Sequence, residues 1–458
     1  MSPTARILPL ARPAAAFLIV VIAAGCSGKA PASAAPVTAA PAATSTACAT
    51  ARPSGSSATA SPAAAATDAW LVARRTGAAD FEVVLASTSG RMFQMPPGVP
   101  DASWNSIVTA SATGAVTELR AIQLPELEGP RLNIKGAWRL PTIGDDPAPI
   151  GVSADGRTII LVEAGAKPAT VTGPAARTRF AIVHRTLDSA PRIVNLAGAF
   201  EYDALSPDGS ILYVVEHLAG PPDGHYQVRA VDTATGMLRE GIVVDKAASD
   251  EAMAGWPIAQ LRRSDGMVFT LYHGAEHPFI HALSSVDGWA LCIDLPASGA
   301  ADAAAATDWG LAATTDGRAL VAANATLGLA VEIQFTDLAV ARTGRFTPTA
   351  STGISFAKFG HQAGGAVGRR VVASPIGSVV YAAGPGGIVA IRTTDLTAGS
   401  RFLEGTAIDA LAVTPDGTTI YALVHSGGRI VKLDAATGTV VGEVPGAGFD
   451  RLVAVVPW

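Results

Sequence analysis

Charge, cysteine and long apolar runs are all scarce in this sequence. Charged residues make up 16% of its 458 positions, against roughly 25% in ordinary soluble domains. Lys and Arg number 33 and Asp and Glu 38, a net charge of −5. There is no basic footprint, which argues against a nucleic-acid partner. Three cysteines, Cys26, Cys48 and Cys292, lack C-x-x-C spacing and are too few for a disulfide scaffold. Aromatics are 6%. No amphipathic helical stretch of useful length interrupts residues 68–458. Several catalytic signatures are missing too: no G-x-S-x-G elbow, no Walker loop, and no G-x-G-x-x-G opening a helix. The glycine-rich pieces 360–368 and 383–387 lie between or beside strand-like runs and read as loops, not phosphate cradles.

What the sequence has in quantity is turn-formers and short apolar runs. Gly 47 and Pro 31 accompany 49% hydrophobic residues. The clearest unit is 411–444, LAVTPDGTTIYALVHSGGRIVKLDAATGTVVGEV. Its four short runs are separated by Pro415-Asp416-Gly417, Ser426-Gly427-Gly428 and Ala435-Ala436-Thr437-Gly438. Asp-Gly and Gly-Gly between alternating runs signal hairpins, because glycine accepts positive φ without steric cost. Each unit is therefore a four-stranded antiparallel meander of about 40 residues, the size of a propeller blade.

The first turn recurs at 154–156, 207–209, 264–266, 315–317, 375–377 and 415–417. Stronger apolar runs such as TIILVEA, ILYVVE and TIYALV follow it. Six units are readable between about 149 and 445, and residues 69–140 hold one or two degenerate ones. The final run, Arg451 to Val456, has no unit after it. A ring must hide its edge strands, so this run is expected to join the N-terminal strands in a shared blade. The expected fold is an all-β propeller of seven or eight blades over residues 68–458.

The units at 205–236 and 411–438 resemble the YVTN-type repeat of lactonase-like and amine-dehydrogenase-like propellers. The resemblance implies a blade and not a reaction, and its Pro-Asp-Gly turn carries no catalytic residue.

The N-terminus resembles a bacterial lipoprotein precursor. Arg6 and Arg12 precede the apolar run 14–24, whose 11 residues are too short to span a bilayer but suit a signal peptide. The run ends in Ala23-Ala24-Gly25-Cys26, although Ala23 stands where the lipobox has a large aliphatic. The resemblance implies cleavage of residues 1–25, lipid on Cys26, and anchorage to the outer face of the cell membrane. Residues 26–67, nearly all Ala, Pro, Ser and Thr, cannot build a core and read as a tether. Fully extended, it would reach roughly 130 Å. A Cys48–Cys292 bridge and a buried, unpaired Cys292 in the apolar run 290–293 both stay open.

In a four-stranded blade the chain enters the first strand, and links the second to the third, on one face of the ring. The residues sorted to that mouth are Asp203, Trp256, Asp308, Trp309, Asp409 and Asp450, beside Glu201 and Tyr202. They read as a ligand site for a cation, sugar or metal, or as polar groups bonding neighbouring blades. The loops on the same face carry His217, Asp223 and His225, then His273, Glu276 and His277. Imidazole and carboxylate suit a divalent metal, although no cofactor is firmly implied. His273 to His277 also spells H-x-x-E-H, but Gly274 and Pro278 break the helix that motif needs. His281, alternating with apolar residues, reads as a packed strand residue. The sequence thus points to a lipid-anchored binding module for a small molecule or protein at the cell envelope. The alternative is a lactonase- or dehydrogenase-like enzyme, with or without a metal, working at the mouth.

Overall fold

The second strands of the clearest repeats are apolar on both faces because both faces are covered. Ala319–Asn324 is buried at every position and Thr419–Val424 at all but the first. Fourth strands are the opposite: in Val340–Arg345 and Val440–Glu443 nearly every residue is exposed. Burial therefore falls from the middle of each sheet to its last strand, as in a blade standing radially in a ring. The computed structural model describes residues 69–88, 90–124, 126–143, 149–165, 177–218, 225–243, 253–273, 277–296, 308–349 and 369–456. Cys26, Cys48, the 27–67 segment, Asp223 and Glu276 lie outside them.

The strands form eight four-stranded antiparallel sheets. Eight is the answer to the seven-or-eight question, because residues 69–140 supply most of two blades rather than one. Blade 1 comprises Phe449–Val456, Trp70–Arg75, Phe81–Leu85 and Arg91–Met95. Its inner strand comes from the far end of the chain, with Leu71 opposite Val455 and Arg75 opposite Phe449. Blade 2 is Gly98–Pro100, Ser106–Thr113, Val116–Gln123 and Arg131–Lys135. Blades 3 to 8 follow in order. Two strands are broken by insertions. In blade 3 the inner edge is shared by Trp138–Arg139 and a bridge from Val152 to Ile159. In blade 4 the outer edge is shared by a bridge from Leu238 to Val231 and by Met253–Ala254.

There is no single core. Eight apolar clusters each join two neighbouring blades, and together they run round the ring. Leu71, Leu423 and Leu452 are in the cluster that joins blade 8 to blade 1.

The Asp-Gly turns are structural, as expected, and their chemistry is repeated closely. In blades 3, 4, 6 and 8 a Ser or Thr two residues before the Asp donates its hydroxyl to Asp Oδ1, at 2.6, 2.7, 2.6 and 2.5 Å. The same hydroxyl accepts from the backbone N–H that opens the next strand, as Thr419 N does to Thr414 at 3.0 Å. The Thr hydroxyls hold the carboxyls of Asp316 and Asp416 below the ordinary carboxylate range, and the Ser210 backbone N–H, followed by the Ser206 hydroxyl, does the same for Asp208. Gly417 has φ +71°, and a Cβ there would lie 2.3 Å from Ile376 of blade 7. Glycine is required both by the turn and by the neighbouring turn packed on it. Backbone contacts such as Asp155 N to Pro207 O, 3.0 Å, knit this face of the ring from blade to blade.

Candidate functional site

The opposite face carries the inner-strand starts and the loops after the second strands, as the sorting rule expects. The acidic residues expected to rim it are mostly inside the wall. Asp203, Asp308 and Asp409 are 1%, 3% and 4% exposed, and Trp309 is 1%. Trp256 is half-buried, opposite His273 at the start of the blade 5 inner strand.

Burying a carboxylate demands a partner, and most of these have one from another strand or blade. Asp308 Oδ1 accepts from Arg370 Nη1 at 2.6 Å, and its Oδ2 accepts from Thr326 Oγ1 at 2.7 Å. Arg370 stands just before the inner strand of blade 7, so the pair ties blade 6 to blade 7. In blade 8, Asp409 faces His425 Nδ1 at 3.0 and 3.1 Å. Burial raises the Asp409 pKa, and His425 and Arg370 oppose that shift without cancelling it. In blade 1, Asp450 takes both guanidinium arms of Arg74, at 2.9 and 2.8 Å. Around blades 6, 7, 8 and 1 the wall is thus built of hydrogen-bonded pairs, two of them carboxylate–guanidinium.

Arg370→Met would leave the buried Asp308 carboxyl with no cation. We expect a loss of about 3 kcal/mol, the lower end for breaking a buried pair, and recovery of most of it in Asp308→Asn/Arg370→Met. Chemical denaturation of the three proteins checks this. A single variant within about 0.5 kcal/mol of the parent, the range of an ordinary surface change, would show the pair to be ornamental.

Asp203 differs from the others. It is the bulged residue between Tyr202 and Ala204 in the blade 4 inner strand. Its Oδ2 is buried with no hydrogen-bond partner among the described residues. Gln260 Nε2 of blade 5 donates to the Asp203 backbone carbonyl at 3.0 Å and to Thr270 Oγ1 at 2.9 Å. Arg262 spends its Nε on Gln260 Oε1, 2.7 Å, and its Nη2 on the Tyr202 hydroxyl, 3.1 Å. Burial pushes the Asp203 pKa up to about 7, with Arg262 and Thr270 opposing the shift.

The histidines are dispersed. His217 and His273 end second strands, and His225 opens a third strand, so these three are strand residues rather than loop residues. His217 Nε2 lies 3.4 Å from Glu201 Oε2, and His277 Nε2 lies 2.9 Å from Asp294 Oδ1. Among the described residues no group of three or more His, Cys, Asp or Glu side chains is placed to hold a metal ion. Asp223 and Glu276, the acidic members of the two expected sets, lie outside the described residues. His281 is a packed strand residue, edge-on to Tyr272 with centroids 6.3 Å apart, and burial lowers its pKa to about 4. Cys292 is exposed at the outer edge of blade 5 rather than a buried hydrophobe.

Sequence reading missed Arg370, Arg74, Thr326, Gln260 and Arg262, the partners of the buried groups. No fixed offset could have found them: Asp308, Arg370 and Asp409 lie 9, 7 and 8 residues before the turn glycines Gly317, Gly377 and Gly417 of their repeats.

No protein-family model matches the sequence, and no curated protein matches it. Solved structures do match. Apo AztD from Citrobacter koseri is 13% identical with a TM-score of 0.50, the match covering 85% of this chain and 98% of that one. The dihydro-heme d1 dehydrogenase NirN, in complex with DHE, is 14% identical with a TM-score of 0.46, over 84% of this chain and 74% of that one. A 6-phosphogluconolactonase-like protein from Bacteroides fragilis is 14% identical, TM-score 0.41, over 78% of this chain and 100% of that one. At 13% identity the AztD match shows the fold alone, and a propeller fold carries no reaction.

Proposed function

We propose that the protein is a binding module that holds a polar ligand at the mouth of its ring. The observation carrying this reading is the set of fixed pairs in the wall: Asp308 with Arg370, Asp409 with His425, and Asp450 with Arg74. Asp308 and Asp409 are buried and hold Arg370 and His425 in place, so that these two, with Arg74 and Asp450, are the partly exposed members of a preorganised polar surface that suits a polar ligand without reorganisation. Asp203, the carboxyl drawn to about 7, is 1% exposed, so a substrate would have to part blades 4 and 5 to use it as a base. That weighs against an enzyme built on this group.

The same proposal includes a lipid anchor at the cell envelope, supported by the resemblance of the N-terminal run and Cys26 to a lipoprotein precursor. Cys26→Ser should move the protein from the membrane to the soluble fraction, and globomycin should leave the precursor unprocessed. Unchanged membrane fractionation of the variant would remove the anchor from the reading.

Binding is tested by thermal unfolding of the full chain against a panel of sugars, amino acids and small organic acids. A ligand at a hundred times its Kd stabilises by about 2.7 kcal/mol. The stabilising compound should be recovered unchanged, and Arg370→Met should lose the effect. Conversion of the compound during incubation would replace this reading with the enzymatic one.

A further inference from the structure

Blades 4 and 5 meet over a row of polar side chains that plays no part in the mouth. In blade 5 the register sets Gln260 opposite Thr270, Thr270 opposite His281, and His281 opposite Cys292. Directly opposed residues share a sheet face with Cβ atoms about 5 Å apart. His281 is 1% exposed, and neither of its ring nitrogens has a hydrogen-bond partner among the described residues. Leaving buried polar atoms unsatisfied costs about 1–3 kcal/mol each, so an unspent imidazole in a packed interface calls for a reason.

Its neighbours supply one. Cys292 Sγ lies 3.4 Å from Met253 Sδ. Met253 belongs to blade 4, in the short outer strand opposite Tyr226. The stacked rings of Tyr226 and Tyr272, 5.0 Å apart, pack in the same interface, and Tyr272 presents an edge contact to His281. A thiol, a thioether and an imidazole from two blades therefore gather beside an aromatic wall. The thiol is exposed, which opens the group to solvent at the outer edge of the ring.

We propose that Met253, His281 and Cys292 form a site for a soft monovalent metal ion, with Cu(I) the ion that suits them best. Thiolate and thioether sulfur select Cu(I), and imidazole is compatible with it. Mg²⁺ and Ca²⁺ require oxygen donors, and structural zinc sites take four donors from Cys, His and carboxylate, a set this cluster does not provide. The thioether is the discriminating ligand. Because Met253 comes from blade 4 and the other two from blade 5, the bound ion would also staple the two blades.

The test uses the full chain carrying Cys26→Ser and Cys48→Ser, which leaves Cys292 as its only thiol. Reduced and anaerobic, this protein should take one equivalent of Cu(I) in competition with bathocuproine disulfonate, and equimolar Zn²⁺ should not displace it. X-ray absorption should show two sulfur ligands and one nitrogen. Met253→Leu and His281→Gln should each weaken binding by more than the roughly tenfold that loss of a mere outer-shell partner costs. Leucine conserves the volume of methionine, so the Met253 variant keeps the question answerable where His281→Gln unfolds the protein. Affinity in Met253→Leu equal to the parent would mean that Cys292 alone captures the ion, and the site would fall. Failure of the parent to compete with the chelator would overturn it outright.

Discussion

A chain ended after Gly448 is expected not to fold. The missing strand, Phe449–Val456, is the inner strand of blade 1 and the closure of the ring. Phe449, Leu452 and Val456 are 2%, 1% and 2% exposed and belong to the two clusters flanking that blade. Burying three such side chains contributes about 5–9 kcal/mol, comparable with the roughly 5–15 kcal/mol net stability of a whole protein. Removing the strand also bares the edge of Trp70–Arg75, a template for association with other chains. Expression should give insoluble or oligomeric material, read by size-exclusion chromatography and circular dichroism. Leu452→Ala is the graded version: a folded monomer destabilised by about 3 kcal/mol through the cavity it leaves. A soluble monomer of the truncated chain with the parent's unfolding midpoint would refute closure by this strand.

Asp203→Asn is expected to stabilise the protein, and only toward neutral and alkaline pH. The folded-state pKa is about 7 against an ordinary 3.8 because burial penalises the carboxylate. A raised folded value means that the protonated form is the one the fold favours. The associated stability is complete below pH 3.8, is lost progressively as pH rises, and is gone above about 7. The difference corresponds to about 4 kcal/mol. The carboxamide never ionises, so variant and parent should agree near pH 4 and diverge to that order by pH 8. His281 works in the other sense: its folded value of about 4 means stability lost as pH falls from 6.5 toward 4. Subtracting parent from variant at each pH, by denaturant titration, cancels that contribution and isolates Asp203. A pH-independent difference would show that Asp203 is ionised in the fold.

The fold was largely legible in the chain, and the site was not. Turns such as Thr414-Pro415-Asp416-Gly417 close through bonds between residues at most five apart. The Ser or Thr two places before the Asp is as informative as the Asp-Gly pair itself. Acid positions at the mouth were found by sorting loops onto faces, but their state was not. Asp308 meets Arg370 at a separation of 62 residues, and Asp450 meets Arg74 at 376. The expected acidic rim is a partly buried, paired wall, because the same inner-strand positions that point toward a mouth also face the next blade. Of the two expected His/acid sets, His217, His225 and His273 are strand ends, and Asp223 and Glu276 lie outside the described residues.

The sequence by itself determined the blade: apolar runs alternating with Asp-Gly and Gly-Gly turns specify a four-stranded meander whatever surrounds it, since each bond needed lies within one repeat. Only the tertiary structure decided the number of blades, the partners of buried groups such as Asp308, and the meeting of Met253 with Cys292, the residue opposite His281. Those depend on how blades stack when the last strand pairs with the first, and no local propensity carries that information. The ring closes across the whole length of the domain, and its chemistry lies in the seams that closure creates.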